Sequence, residues 1–133
     1  EDRAPPVGVM ALAGIGVLSS LLANIPVVAA ALGMAKGYLG AADAVPEFAL
    51  AASFTDWPTA TLPFFISMMF GATLGGNATL IGASANIVCA GICNSQGGHL
   101  TFLRFARYGV PITLVQLALG AGYVLVLTSL LAP

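Results

Sequence analysis

Three stretches of this 133-residue chain carry no Asp, Glu, Lys or Arg: Ala4 to Ala35, Trp57 to Leu103 and Tyr108 to Pro133. A soluble domain carries about a quarter charged residues, whereas this chain has 7% charged and 59% hydrophobic residues. Runs of this length belong in a bilayer, where a spanning helix needs roughly 20 apolar residues. Backbone in hydrocarbon must satisfy its own hydrogen bonds, so the fold is expected to be all-α and integral to the membrane. A multi-pass protein of the cell (inner) membrane follows, with the lipid bilayer as its first partner. A formal net charge of -1 with only four basic residues excludes nucleic acid as a partner.

The last run suits one transmembrane helix over 109–132. The other two are too long for one span and contain breaks. The first is interrupted at Ser19-Ser20-Leu21-Leu22-Ala23-Asn24-Ile25-Pro26. Val7 to Leu18 reads as one helix and Val27 to about Tyr38 as another. Pro26 suits a first turn, where its missing N–H costs nothing, and Asn24 suits the N-cap. Each arm reaches roughly 18–22 Å at 1.5 Å per residue, so a re-entrant hairpin over 7–39, with its tip at 20–26, fits better than two spans. A more polar connector, 40–58, holds Asp43, Glu47 and Asp56, which read as solvated.

The second run, 59–93, reads as a broken helix. Its middle, Gly71 to Gly91, contains a double glycine, two asparagines, two threonines and a serine. Thr59 to Leu74 is one apolar half and Thr79 to Ile92 the other, with Gly75-Gly76-Asn77 between them. Glycine permits backbone angles closed to other residues. An unwound linker here would free carbonyls for a cation and expose a fresh helix N-terminus to an anion. Asn77, Thr79, Ser84 and Asn86 would add side-chain donors and acceptors. Ser84 and Asn86, two apart, would not point the same way on a regular helix and converge more readily if the unwinding continues past Gly82. The alternative is that the small residues serve close helix packing, since Gly33 with Gly37 and Gly71 with Gly75 are pairs four apart.

Cys89 and Cys93 share a helix face and read as small buried hydrophobes; two thiols and the distant His99 make a poor metal site. The interfacial loop 94–108 ends in Arg104 and Arg107 among aromatics, which marks a cytoplasmic side, although Arg3 and Lys36 on the other side equal that basic count. Trp57 and Tyr38 suit the interfacial belt. No charged residue falls at mid-membrane depth.

These motifs carry a resemblance. Leu18 to Pro26 resembles the tip of the second re-entrant hairpin in the ion transporter superfamily, in the branch of arsenical pump membrane proteins, P-protein-like permeases and citrate-transporter-like domains. Leu74-Gly75-Gly76-Asn77-Ala78-Thr79-Leu80-Ile81-Gly82-Ala83-Ser84-Ala85-Asn86 resembles the unwound loop of the following broken helix, and Thr101 to Pro111 the lead into the final helix. The resemblance implies that residues 1–133 are the C-terminal repeat of an inverted-repeat transporter, a piece of a longer or split protein, often dimeric. It implies substrate contacts at Asn24, Ile25, Asn77, Thr79, Ser84 and Asn86, and coupling-ion contacts at Ala23, Asn24, Gly75, Gly76, Asn77, Ala85 and Asn86. Ala23 is a departure, because relatives often place an aspartate before this asparagine.

The function this reading supports is secondary active transport of a small anion or oxyanion, arsenite- or carboxylate-like, by alternating access around a midplane site. Sodium or a proton would be the coupling ion; no other cofactor or metal is called for, and the missing N-terminal repeat is the expected partner. A sodium/proton antiporter of the same superfamily is one alternative and would want a membrane-embedded acid. A non-transporting helical subunit is another. No nucleophile, base and orienting group assemble into an enzyme site.

Overall fold

The computed structural model describes residues 7–43 and 55–131, whose regular structure is all helical, with no strand among them. Five helices follow one another: α1 (Val7–Leu21), α2 (Asn24–Ala41), α3 (Leu62–Gly75), α4 (Ser84–Ser95) and α5 (Phe102–Leu131), with a 3₁₀ turn at Thr59–Thr61 before α3. Glu1 to Arg3 and Glu47 lie outside the described residues, as does most of the connector.

Local chemistry sets the helix ends. Near the end of α1, the Ser20 hydroxyl donates back to the Val17 carbonyl (2.6 Å), a side-chain bond that competes with the helical ladder. Only Leu22 and Ala23 separate α1 from α2, and Pro26 falls in α2's first turn. Asp43, with φ +53°, follows that helix and donates to the Gly40 carbonyl. α4 ends in a Schellman-type turn: Gly97 takes φ +83° and Gly98 donates to the Cys93 carbonyl at 3.0 Å. Thr101 then caps α5, its hydroxyl accepting from the Arg104 amide (3.3 Å). That cap starts the last helix at Phe102 rather than 109, so Arg104 and Arg107 lie within it and not in an interfacial turn.

α1 and α3 run side by side in the same direction. Gly8 meets Ser67 and Pro63, Gly16 meets Gly71, and Gly75 abuts the Gly16 backbone. A Cβ on Gly71 would stand 2.6 Å from the Leu12 carbonyl oxygen, so glycine is what permits this approach. α5 runs the other way along the same seam: Leu117 reaches Gly16 and Val124 reaches Gly8. α2 folds back beside them, burying Val27 and Ala35 against Ile15, Met68 and Ala72. At its far end Tyr38 stacks on Phe64, and Trp57 sits edge-on to Phe65 beneath the Lys36 ammonium.

Among the described residues only α5, at 30 residues, is long and apolar enough to cross a membrane. It measures about 45 Å at 1.5 Å per residue, beyond the roughly 30 Å hydrocarbon core. α1 and α3 are shorter apolar helices of 15 and 14 residues. α4 packs against no other described helix, and Ala90 is its one buried residue. Cys89 and Cys93 are exposed along it, which corrects the expectation of buried thiols.

Candidate functional site

The link between α1 and α2 is seated on the break after α3. Ser19, the last buried residue of α1, is fully enclosed, and its hydroxyl donates to the Ala72 carbonyl at 2.6 Å. Asn24 lies beside it. Its amide is satisfied with the nitrogen turned inward, 3.0 Å from the Ala72 carbonyl, 3.1 Å from the Gly82 carbonyl and 2.5 Å from Ser19 Oγ. The N-cap of α2 is Ala23, with no side-chain cap bond. Asn24 is therefore not the cap its position suggested: it is the first helical residue, and its side chain is drawn to carbonyls across the interface, of which Ala72 also accepts from the Gly76 amide.

Gly76 lies under that amide, and a Cβ there would stand 2.5 Å from the Asn24 side-chain amide. Gly82 is equally constrained, since a Cβ would fall 2.5 Å from the Gly76 carbonyl oxygen. The unwound segment runs 76–83, so α4 starts at Ser84 and not at Thr79. Thr79 is buried in the break. Its hydroxyl donates to the Ser20 carbonyl and accepts from the Gly82 amide at 3.2 Å, a second tie between hairpin and break. Asn86, one turn into α4, donates to the Gly76 carbonyl (3.1 Å) and the Thr79 carbonyl (3.0 Å).

The carbonyls of the break are thus held by the chain's own amides and hydroxyls. Gly75 O accepts from the Ala78 amide, and Gly76 O from Asn86. A carbonyl oxygen has two lone pairs, so this arrangement orients these groups without exhausting them.

Asn77 points the other way. It is exposed, and its amide donates to Gln116 Oε1 on α5 at 3.4 Å. A cavity of about 310 Å³ opens there, with Asn77, Asn86, Tyr108 and Gln116 set among apolar Leu100, Phe105 and Ile112. Gly109 lets α5 approach this loop, since a Cβ would lie 2.6 Å from the Ala78 carbonyl and 2.7 Å from the Asn77 carbonyl.

The structure therefore brings Asn24, Gly76, Thr79 and Asn86 together, with Gly75 at the end of α3. Asn77 lies on the α5 side of the same loop. Ile25 is 83% exposed and turned away. Ala23, Ser84 and Ala85 are exposed, and Ser84 does not converge with Asn86: the unwinding does pass Gly82, yet both residues are already helical. Sequence reasoning missed Ser19 as the bridge, the Ala72 and Gly82 carbonyls as its partners, and Gln116. Gln116 had a signal, being the lone amide side chain between Tyr108 and Pro133. The burial of Ser19 had none.

Among the described residues a helical hairpin is thus hydrogen-bonded to a broken helix, an all-helical arrangement compatible with a membrane protein. The chain is 49% identical over 112 residues, 83% of its length, to an uncharacterized transporter of Synechocystis sp.. It is 35% identical over 127 residues, 95% of its length, to the P protein of Mus musculus, and 36% identical over 100 residues, 69% of its length, to an uncharacterized transporter of Mycobacterium tuberculosis. These alignments cover 25%, 14% and 23% of the respective relatives, so the chain spans a quarter or less of each. No family model matches, and no solved structure matches.

Proposed function

We propose that this chain is one repeat of a secondary active transporter for a small anion or oxyanion, arsenite- or carboxylate-like. A re-entrant hairpin (α1–α2) and a broken helix (α3–α4) would together form half of a midplane site, and the absent N-terminal part of the protein would supply the other half. The observation that carries this reading is the Asn24 amide held across the interface by Ala72, Gly82 and Ser19. A polar tip bonded to unwound backbone is what transporters use to present dipoles at the membrane centre, and a helix that only packs has no need of it. The similarity to proteins named as transporters supports the same reading.

Alternating access would move the hairpin and the broken helix as one body, because Ser19, Asn24 and Thr79 tie them together. Ligand would meet Asn24, Asn77 and Asn86 as neutral donors and acceptors, and sodium or a proton would supply coupling. The described acids, Asp43 and Asp56, follow α2 and precede α3, away from this site, which disfavours a sodium/proton antiporter relying on the described carboxylates.

The test is gradient-driven uptake of arsenite, citrate, succinate and sodium by the full-length protein in proteoliposomes. Asn24→Ala and Asn77→Ala are expected to abolish flux while the protein still folds. Unchanged flux in both folded variants would defeat the reading and leave a packing subunit.

A further inference from the structure

α5 begins with two arginines in its first two turns and no acidic residue in the first. This is the unfavourable sign for a helix N-terminus, whose unpaired amides already carry partial positive charge. Arg104 donates to the His99 carbonyl at 3.3 Å and makes no ion pair with a described acid. Arg107 has no hydrogen-bond or ion-pair partner among the described residues. The described acids lie at the other end of the bundle, where Leu39, Pro58 and Thr128 line one cavity. That end is roughly 36 Å from Arg104 along α5 at 1.5 Å per residue.

The surroundings are those of a membrane boundary. α5 is longer than the hydrocarbon core, and it is free of charge from Tyr108 onward. Its first turns therefore extend to headgroup depth, where the exposed ring of Tyr108 is also at home. Arg104 and Arg107, three apart, share a helix face. Val110 and Leu114 continue the Arg107 stripe at helical spacing, and both are exposed.

We propose that the start of α5 is a binding site for an anionic phospholipid. Arg104 and Arg107 hold the headgroup phosphate, and the acyl chains lie along the Val110–Leu114 stripe. Free phosphate shares the headgroup chemistry, but it has no use for an apolar stripe running down from the guanidiniums. The site is separate from the hairpin and break, so its test reads binding and not flux.

The delipidated full-length protein is titrated with phosphatidylglycerol and, in parallel, phosphatidylcholine, with native mass spectrometry as the readout. Each arginine near an anionic headgroup contributes about fivefold in affinity, so R104Q/R107Q should weaken phosphatidylglycerol about thirtyfold. Phosphatidylcholine should be unaffected, and R104K/R107K should keep most of the preference. If the double variant does not fold, R107Q alone serves, because the Arg107 side chain bonds to nothing among the described residues; a loss of about fivefold is expected. Unchanged phosphatidylglycerol affinity in folded R107Q overturns the proposal, as does an equal loss for both lipids. Arginine-dependent binding of inorganic phosphate by lipid-free protein, displacing phosphatidylglycerol, would overturn the lipid assignment in favour of a soluble anion.

Discussion

Two pairs of glycines four residues apart meet opposite fates in this chain. Gly71 and Gly75 on α3 lie against α1, one beside the Leu12 carbonyl and the other on the Gly16 backbone. Gly33 and Gly37 on α2 have the same spacing, yet a Cβ at either would meet nothing within 4 Å. The packing signature was identical, and what differs is the partner. α3 has a parallel neighbour that brings its own glycine, Gly16, to the crossing. α2 packs through Ala35, two residues from each of its glycines and so about 200° around the helix from them. Small residues at this spacing mark a face that can be approached closely; the rest of the fold decides whether anything approaches it.

The seam can be broken directly. Gly75→Ala puts a methyl group onto the Gly16 backbone, which cannot rotate aside as a side chain could. The expected loss is about 3 kcal/mol, at the upper end of the usual range for overpacking, read as a lowered unfolding midpoint of the full-length protein in detergent. A folded Gly75→Ala protein with an unchanged midpoint would mean the α1–α3 approach is not what holds these helices.

A smaller effect separates the seam from the break. Asn86→Ala removes the donor shared by the Gly76 and Thr79 carbonyls. The Thr79 carbonyl keeps the Gly82 amide (3.4 Å), so the Gly76 carbonyl loses its Asn86 partner outright, at a cost of about 1–3 kcal/mol. Because α4 leans on no other described helix, the loss should stay local: amide exchange over 76–86 speeds up while α1 and the body of α3 keep their protection. Equal loosening of α1 would show that seam and break are one cooperative unit.

The helices were legible because their cause is local. Charge-free runs, Pro26, the glycine pairs and the Gly75-Gly76-Asn77 interruption each act within a few residues. So the two arms and the first half of the broken helix could be placed from the sequence to within a turn, whereas the start of the last helix was read seven residues late and that of α4 five residues early. The site was legible in membership but not in wiring. Asn24 and Asn86 stood out as amides in apolar surroundings, and they do approach the break. That Asn24 would bond to Ala72 and Gly82 instead of capping its own helix depends on how α1 lies along α3, which no residue near Asn24 encodes. Ser19 was invisible for the same reason: a serine at the end of an apolar helix looks like a turn residue until Ala72 is opposite it. The length of the break was also underread, because its far end is set by Gly82 packing on Gly76, a contact six residues away.

The open glycine pair gives the smallest effect and the sharpest use of the comparison. Within the described residues Gly37 faces open space, so Gly37→Ala adds no clash and removes a conformationally permissive residue from a helix interior. The expected change is a gain of about 0.5–1 kcal/mol, from the lower entropy cost of fixing alanine in a helix. A loss in the full-length protein would carry a different meaning, because a methyl group can destabilise only where something already sits close. The sign of the shift in unfolding midpoint therefore reports whether the Gly33–Gly37 face is lipid-facing or is covered by something outside the described residues. Gly75→Ala measured beside it fixes the scale of a true close approach, so a shift at Gly37 of the same sign and size would mean that the two pairs have the same fate after all.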